Sequence, residues 1–127
     1  MDESIKQIFV IDASYLLAFL LKENNFEVNE LMKQYKSKKV SLISTTLLKF
    51  EVCNTLKTAI LRKRVNKKYA QELLQAFLEY DILEENIDFL QVFKLSISKN
   101  ISFYDASYLY LAKSKEIKLL TLDHSLK

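Results

Sequence analysis

The sequence predicts a single α/β domain whose parallel sheet is covered by helices on both faces. Short runs of β-branched and aromatic residues alternate along the chain with longer stretches of helical spacing, which is typical of parallel strands joined by helical crossovers. The 127 residues suffice for one domain with a substantial core, and half of them are hydrophobic. We find no internal repeat, low-complexity tract or linker, so residues 1–127 are expected to form one compact unit.

In the first part of the chain, two predicted strands are each followed by two predicted helices. The apolar run that ends at Asp12 indicates a buried strand, because it is short and bounded by a polar residue. We predict a strand at 8–11, a helix through 16–21, a helix at about 27–36 capped by Asn25, a strand at 40–44, a long helix opened by Thr45 or Thr46 and ending near 63, and a helix capped by Asn66 and ending near 78.

In the second part of the chain, the pattern of apolar residues indicates a strand weakly at 80–83 and clearly at 117–122. We predict a strand at 80–83, a helix at about 84–98, a helix beginning at Ser102, and a strand at 117–122 that ends at Asp123. Right-handed crossovers would bring the carboxyl ends of all these strands to the same edge of the sheet. Polar residues that follow the strands are therefore expected to meet there.

The sequence contains no glycine and no proline. Tight turns must then use other residues, and we expect Asn24, Asn25, Asn66, Asn86 and Asn100 to serve, since asparagine tolerates positive φ. A glycine-rich phosphate loop or a dinucleotide-binding fingerprint cannot exist in such a chain.

Cysteine usage and hydropathy favour an intracellular protein. Cys53 is the only cysteine, and its place in an apolar helical run predicts a buried structural thiol. No apolar stretch is long enough to span a bilayer, and the polar segment Met1–Gln7 has no features of a secretory signal. We therefore expect a cytoplasmic protein without membrane contact.

Four acidic residues occupy comparable positions, and each has a structural explanation when taken alone. Asp12 could cap a helix, Asp123 could end a strand, and Asp105 lies three residues after Ser102 in the pattern of a capping box. Glu51 could lie on a solvent-facing helix stripe with Asn54.

Taken together, the four acids indicate a divalent metal site. Two bare carboxylates ~4 Å apart repel by about 4 kcal/mol at an effective dielectric near 20, and a divalent cation removes that cost at neutral pH. Hard oxygen ligands without a histidine pair or thiolates select Mg²⁺ or Mn²⁺ rather than zinc. Ser14 and Asn54 are suitably placed to support Asp12 and Glu51.

A basic cluster and a single histidine each admit two interpretations. The cluster comprises Arg62, Lys63, Arg64, Lys67 and Lys68. It is either a solvated helix end or a rim that binds the phosphates of a nucleic acid, which the mild net charge of +3 permits but does not require. We expect His124 to be an exposed tail residue, because the sequence offers it no orienting partner.

Four motifs in order make the whole chain resemble PIN domains, and within them the small VapC-type toxins of prokaryotic toxin–antitoxin pairs. These motifs are Phe9-Val-Ile-Asp12-Ala-Ser14, Glu51-x-x-Asn54, Tyr104-Asp105-Ala-Ser-Tyr-Leu-Tyr-Leu-Ala112 and Leu120-Thr-Leu-Asp123. The resemblance implies a three-layer α/β/α sandwich with a short central parallel sheet, and a metal-dependent ribonuclease. It implies Asp12, Glu51, Asp105 and Asp123 as the catalytic and metal-binding acids, with Ser14, Asn54 and Thr121 in support. It also implies a homodimer and an antitoxin that blocks the site with a basic side chain.

The sequence departs from the family pattern in two places. Thr45-Thr46 stands where relatives often have a proline before the long helix. The sequence ends at Lys127, four positions after Asp123, whereas relatives usually continue into a further strand. We therefore expect that edge strand to be missing.

Three functions are compatible with these observations. The first is hydrolysis of RNA phosphodiester bonds by a metal site. The second is a degenerate PIN-like module that binds RNA or a protein partner without cutting. The third is phosphoryl transfer through an aspartyl intermediate at Asp12, for which Ser14 stands where phosphatases need a second acid.

Overall fold

The computed structural model describes residues 6–127. The polar segment 1–7, for which we expect no secretory signal, lies largely outside the described residues. The elements in chain order are β1 (Gln7–Ile11), α1 (Ala13–Leu20), α2 (Phe26–Lys36), β2 (Val40–Thr45), α3 (Leu48–Leu61), α4 (Lys67–Leu78), β3 (Leu83–Glu85), α5 (Phe89–Lys99), α6 (Phe103–Lys115), β4 (Leu119–Leu120) and a short 3₁₀ turn (His124–Leu126).

The four strands form one parallel sheet in the order β3-β2-β1-β4. In this register Gln7 lies opposite Val40, and Ile11 lies opposite Leu120. All strands therefore end at the same edge, as predicted. The outer side of β4 is an edge of the sheet, and within residues 6–127 no further strand pairs with it.

Successive side chains of β1 point to opposite faces of the sheet, and both faces are apolar. Helices pack on each face, so the fold is a three-layer sandwich. Phe9 and Ile11 pack into a large core cluster with side chains from α1 to α4. Val10 points to the opposite face and packs with Leu111 of α6 in a smaller cluster. The predicted α/β/α architecture is confirmed. Each fully buried aliphatic side chain contributes about 1.5–3 kcal/mol to its stability.

Side-chain caps start most of the helices where the sequence predicted them. Asn25, Asn66 and Ser102 each accept a hydrogen bond from the backbone N–H three residues further on. The long helix α3 is the exception, because the Thr45 hydroxyl accepts from the Leu47 N–H and residues 46–47 form a turn before the helix. The prediction that Thr45 or Thr46 opens this helix was wrong, since α3 begins at Leu48 without a side-chain cap.

The third strand lies later than its apolar pattern indicated. We expected a strand at 80–83 and a helix from Glu84, whereas β3 is Leu83–Glu85 and α5 begins at Phe89. The charged residues of β3 are held by ion pairs, Glu84 with Lys49 at 3.2 Å and Glu85 with Lys115 at 3.4 Å. Because β3 is held by pairing with β2 and by these ion pairs, it needs no alternation of hydrophobic and polar residues. Its two glutamates therefore made the segment resemble the acidic first turn of a helix. The last strand is likewise shorter than the predicted 117–122.

In the described part of the chain, residues 6–127, five helices end at residues with positive φ, and only one of these residues is an asparagine. They are Lys22, Lys38, Lys63, Asn100 and Glu116. In each case the next residue donates its N–H to a carbonyl five positions back, which closes a Schellman-type turn. The expectation of asparagine turns is correct at Asn100, whereas Asn25 and Asn66 have extended backbones as N-caps.

Cys53 does not lie in the core. It is exposed on α3, in contrast to the buried thiol that the sequence predicted. The apolar residues that α3 buries are Leu48, Val52, Leu56 and Ala59. Cys53 follows Val52 and so lies on the outward side of this stripe, which the short apolar run around it did not reveal.

Candidate active site

Asp12 lies at the carboxyl end of β1, where the chain turns directly into α1. Its side chain is 2% exposed and caps the helix, with Oδ1 accepting from the Tyr15 N–H at 3.0 Å and from Ser14 Oγ at 2.7 Å. Burial raises the pKa of Asp12, although hydrogen bonds from Thr121, Tyr15 and Ser14 offset part of the rise. The charge of Asp123 raises this pKa further.

Ser14 and Thr121 connect Asp12 to the loop after β4. The Ser14 hydroxyl, which donates to Asp12, also accepts from the Leu122 N–H at 3.0 Å. The buried Thr121 hydroxyl accepts from the Asp123 N–H at 3.0 Å. These two hydroxyls hold the loop that carries Asp123 against the end of β1.

Glu51 lies in the first turn of α3 and is half-buried. Its Oε1 accepts a hydrogen bond from the Tyr108 hydroxyl at 2.7 Å. Burial raises the pKa of Glu51, the Tyr108 hydrogen bond lowers it, and the charges of Asp105 and Asp12 raise it. Asn54, the predicted support, is exposed one helical turn further on.

Asp105 lies in the first turn of α6, and its backbone N–H donates to the Ser102 hydroxyl at 3.0 Å. Burial raises the pKa of Asp105, and the charges of Asp123 and Asp12 raise it further. A hydrogen bond with the Ser102 side chain lowers it and offsets part of the rise. The cap predicted at Ser102 is therefore present, and the Asp105 carboxylate still lies near enough to Asp123 and Asp12 for their charges to raise its pKa.

Asp123 is oriented differently from the other three acids. Its Oδ1 accepts from the Ser125 N–H at 2.9 Å and from Ser125 Oγ at 2.8 Å, so the side chain caps the 3₁₀ turn. These hydrogen bonds lower the pKa of Asp123, and the neighbouring exposed His124 adds to the effect.

The fold brings the four predicted acids into electrostatic contact from separate parts of the chain. Each of Asp12, Glu51 and Asp105 has a pKa raised by the charge of at least one other member of the set. Within residues 6–127, no lysine or arginine forms an ion pair with any of the four. In the same part of the chain, no three acidic, histidine or cysteine side chains are close enough together to hold a metal ion as they stand.

The amino-acid sequence matches the family model of the PIN domain over residues 9–127. The chain belongs to the PIN-domain family. Membership supports a nuclease-type function in general, and proteins of this family typically use divalent metal ions. A comparison with curated protein sequences gave no match.

Two solved structures share the fold of this PIN domain. PAE2754 from Pyrobaculum aerophilum is 26% identical with a TM-score of 0.74, and the match covers 99% of this chain and 81% of that one. VapC20 from Mycobacterium tuberculosis, a toxin that cleaves the sarcin–ricin loop, is 15% identical with a TM-score of 0.64. That second match covers 93% of this chain and 92% of VapC20, and at this identity it shows a common fold.

The predicted basic cluster of this PIN domain lies away from the acids. All five of its side chains are exposed where α3 ends and α4 begins. Arg62 follows Glu51 by eleven positions in the chain, which corresponds to about 16 Å along a helix axis. Arg64 approaches Glu23 at 4.0 Å. Any phosphate bound here would lie well away from the acidic edge.

Two residues of the site were missed by the sequence analysis. Ser125 donates two hydrogen bonds to Asp123, and the Tyr108 hydroxyl donates one to Glu51. Tyr108 lies three positions after Asp105 on α6 and hence on the same helix face, and this spacing was the available signal. Burial and the neighbouring acids raise the pKa of Tyr108, so its hydroxyl stays protonated and can donate.

Proposed function

We propose that this PIN domain is a metal-dependent endoribonuclease that hydrolyses RNA phosphodiester bonds, and that it is the toxin of a toxin–antitoxin pair. One observation supports the activity above all others. Asp12 follows β1, whereas Glu51 lies in α3 and Asp105 in α6, yet the charge of at least one other acid raises the pKa of each. No lysine or arginine of residues 6–127 forms an ion pair with any of them. Such a set is costly unless a cation joins it.

The chemistry of the acids fits Mg²⁺ or Mn²⁺, because carboxylate oxygens are the ligands that these ions prefer. Their side chains would have to draw closer together to bind one, since within residues 6–127 no three of them are close enough as they stand. Asp12, Glu51 and Asp105 would hold the ion, with Asp123 completing the set. When bound, the ion supplies a Lewis acid that lowers the pKa of water and neutralises charge on the phosphate oxygens.

The chain's own hydroxyls position these acids. Ser14 and Thr121 hold Asp12 and the Asp123 loop together, so the two carboxylates approach the edge from adjacent strands. The Ser125 hydrogen bonds occupy only Oδ1 of Asp123, so its other carboxylate oxygen could bind the ion while the 3₁₀ turn at residues 124–126 stays in place.

RNA would contact two surfaces of the protein. The acidic edge would receive the scissile phosphate only with the metal present, because bare carboxylates repel it. The exposed cluster at residues 62–68 would bind the backbone further along the strand, which makes binding sensitive to salt. Asn54 lies between the two on the exposed side of α3 and would contact water or RNA at the rim.

The proposed toxin has two protein partners. An antitoxin would insert a basic side chain among the acids. Within residues 6–127 no lysine or arginine pairs with these acids, so they remain available to such a side chain. A second copy of the chain would pack on α5, where Phe89, Leu90, Phe93 and Ile97 form a stripe that is 54% to 64% exposed. None of the helices in residues 6–127 has the length and apolar character needed to span a membrane.

A cleavage assay with matched variants tests the activity. Wild type, Glu51→Gln, Asp105→Asn and the exposed control Glu72→Gln would be purified identically and incubated with labelled single-stranded RNA in Mg²⁺, Mn²⁺ or EDTA. We expect wild type and the control to cleave only with metal, and the two site variants to lose at least about 100-fold in rate. Equal cleavage by all four proteins would show that the activity is a contaminant and would refute the proposal.

A second candidate is a PIN-like module that binds RNA or a protein without cutting. The spacing of the acids favours it, because within residues 6–127 no three acidic, histidine or cysteine side chains are close enough together to hold a metal ion as they stand. Calorimetry with Mn²⁺ separates the two functions. A nuclease must bind the ion, whereas a binding module with no affinity for Mn²⁺ could not carry out the proposed hydrolysis.

A further inference from the structure

We propose that Tyr108 is a positioning residue that fixes Glu51 relative to Asp105, and so sets the geometry of the acidic site. This inference rests on the proposed metal-dependent nuclease function. It concerns a residue that would contact neither metal nor RNA and would act only through Glu51.

Tyr108 connects the two helical layers at the edge of the sheet where the acids meet. It belongs to α6, whose Leu111 and Ala112 pack in the smaller cluster on one face of the sheet. The Tyr108 ring nevertheless packs in the larger cluster with residues of α3, such as Val52. The side chain therefore reaches past the strand ends from one layer into the other.

The end of this side chain holds one oxygen of Glu51. Tyr108 is fully buried, and its hydroxyl lies 2.7 Å from Glu51 Oε1, which comes 57 positions earlier in the chain. Within residues 6–127 Oε2 has no hydrogen-bond partner, so one oxygen is fixed and the other remains available to a ligand. A glutamate has three rotatable side-chain bonds, and an unrestrained one loses more entropy when it binds.

The helix face that carries Tyr108 also carries Asp105. Asp105 precedes Tyr108 by three positions, so both side chains lie on one face of α6, and the Asp105 charge raises the pKa of Glu51. Tyr108 is thus a rigid spacer between the two acids that come from opposite layers, and removal of its hydroxyl would free Glu51 while Asp105 stays in place.

Tyr108→Phe tests this role, because it keeps the buried ring and removes only the donor. The matched control is Tyr35→Phe, which removes a hydroxyl that accepts from the Asp81 N–H at 2.6 Å, remote from the acids. Three quantities would be measured on the full chain: Mn²⁺ affinity by calorimetry, RNA affinity in EDTA, and the rate of RNA cleavage. Thermal melting would establish that each variant is folded.

We expect Tyr108→Phe to weaken Mn²⁺ binding about tenfold and to slow cleavage at fixed Mn²⁺, with RNA affinity in EDTA unchanged. Tyr35→Phe should leave all three quantities at the wild-type level. A merely structural role for Tyr108 would instead reduce RNA affinity and metal affinity together.

Two outcomes would overturn the inference, and they are distinguishable. If wild type binds Mn²⁺ and cleaves RNA but Tyr108→Phe does both equally well, Tyr108 does not position Glu51 and the proposed function stands. If wild type neither binds Mn²⁺ nor cleaves, the proposed function fails and the inference fails with it.

Discussion

Replacement of Asp12 by asparagine should stabilise the metal-free protein at neutral pH while it removes metal binding. Asp12 is 2% exposed, and burial followed by the nearby Asp123 charge raises its pKa above the ordinary value of 3.8. Asparagine keeps an oxygen that can accept from the Tyr15 N–H and Ser14 Oγ, so the helix cap is retained. The charge is lost, and with it the hydrogen bond of the Asp12 carboxylate with Thr121.

The magnitude follows from proton linkage. Between pH 3.8 and the raised pKa of the folded state, unfolded Asp12 has released its proton and folded Asp12 has kept it. The folded state then binds up to one proton more, so the free energy of unfolding falls by up to about 1.4 kcal/mol for each pH unit gained. The fall stops above the folded pKa. Asp12→Asn lacks this dependence, and its advantage should grow with pH through the same window.

Urea unfolding in EDTA between pH 3 and pH 8, followed by the same series with Mn²⁺, would measure both effects. Wild type should gain about 2.7 kcal/mol when free Mn²⁺ reaches 100 times its dissociation constant, and Asp12→Asn should gain far less. Below pH 3.8 the two proteins should converge, since both side chains are then neutral. A variant that is less stable than wild type at pH 7 without metal, or that gains equally from Mn²⁺, would refute this account of the site.

Three further predictions concern regions outside the acids. Phe93→Glu on the exposed stripe of α5 should convert a dimer to a monomer in size-exclusion chromatography with light scattering, because it places a charge in an apolar contact. Lys67→Ala and Lys68→Ala should each reduce the slope of log RNA affinity against log salt by about 0.7, the value for one lost single-strand phosphate contact. Thr45→Val should cost about 1–3 kcal/mol in urea unfolding, since it leaves the Leu47 N–H without its buried partner.

Each of these predictions has a matched control in the chain. Leu61→Glu, at the exposed end of α3, should leave the oligomeric state unchanged. Alanine at Lys38 and Lys39, the other exposed basic pair, should leave the salt slope unchanged. Thr46→Val should cost little, because this side chain is half-exposed. A monomeric wild type, equal salt slopes for both lysine pairs, or equal costs for both threonine variants would contradict the corresponding prediction.

The parts of the fold that sequence analysis predicted are those that local pattern determines. The end of β1 at Asp12 was visible because an apolar run stops at a carboxylate and a helix follows. Asn25 and Asn66 were visible as caps because the signal lies within three residues of its hydrogen-bond partner. Burial of β1 and alternation between strands and helices were then enough to predict parallel pairing and a common edge for the acids.

The parts that sequence analysis missed depend on contacts between distant residues. The position of β3 is set by pairing with Ile43 and by ion pairs to Lys49 and Lys115, none of which a local window contains. The link from Tyr108 to Glu51 spans 57 positions. The orientation of Asp123 depends on Ser125, and its sequence gave no reason to choose between capping a turn and facing the other acids.

The helix ends of this glycine-free chain carry a conformational cost that the site does not need. Lys22, Lys38, Lys63 and Glu116 adopt a left-handed backbone that costs a residue with a side chain about 1–2 kcal/mol, and glycine would adopt it readily. Each of these positions lies at the end of its helix opposite the acids. Glycine at Lys22, Lys38 and Glu116, which lie outside the proposed RNA-binding cluster, is therefore a route to a more heat-resistant protein whose acidic edge is untouched.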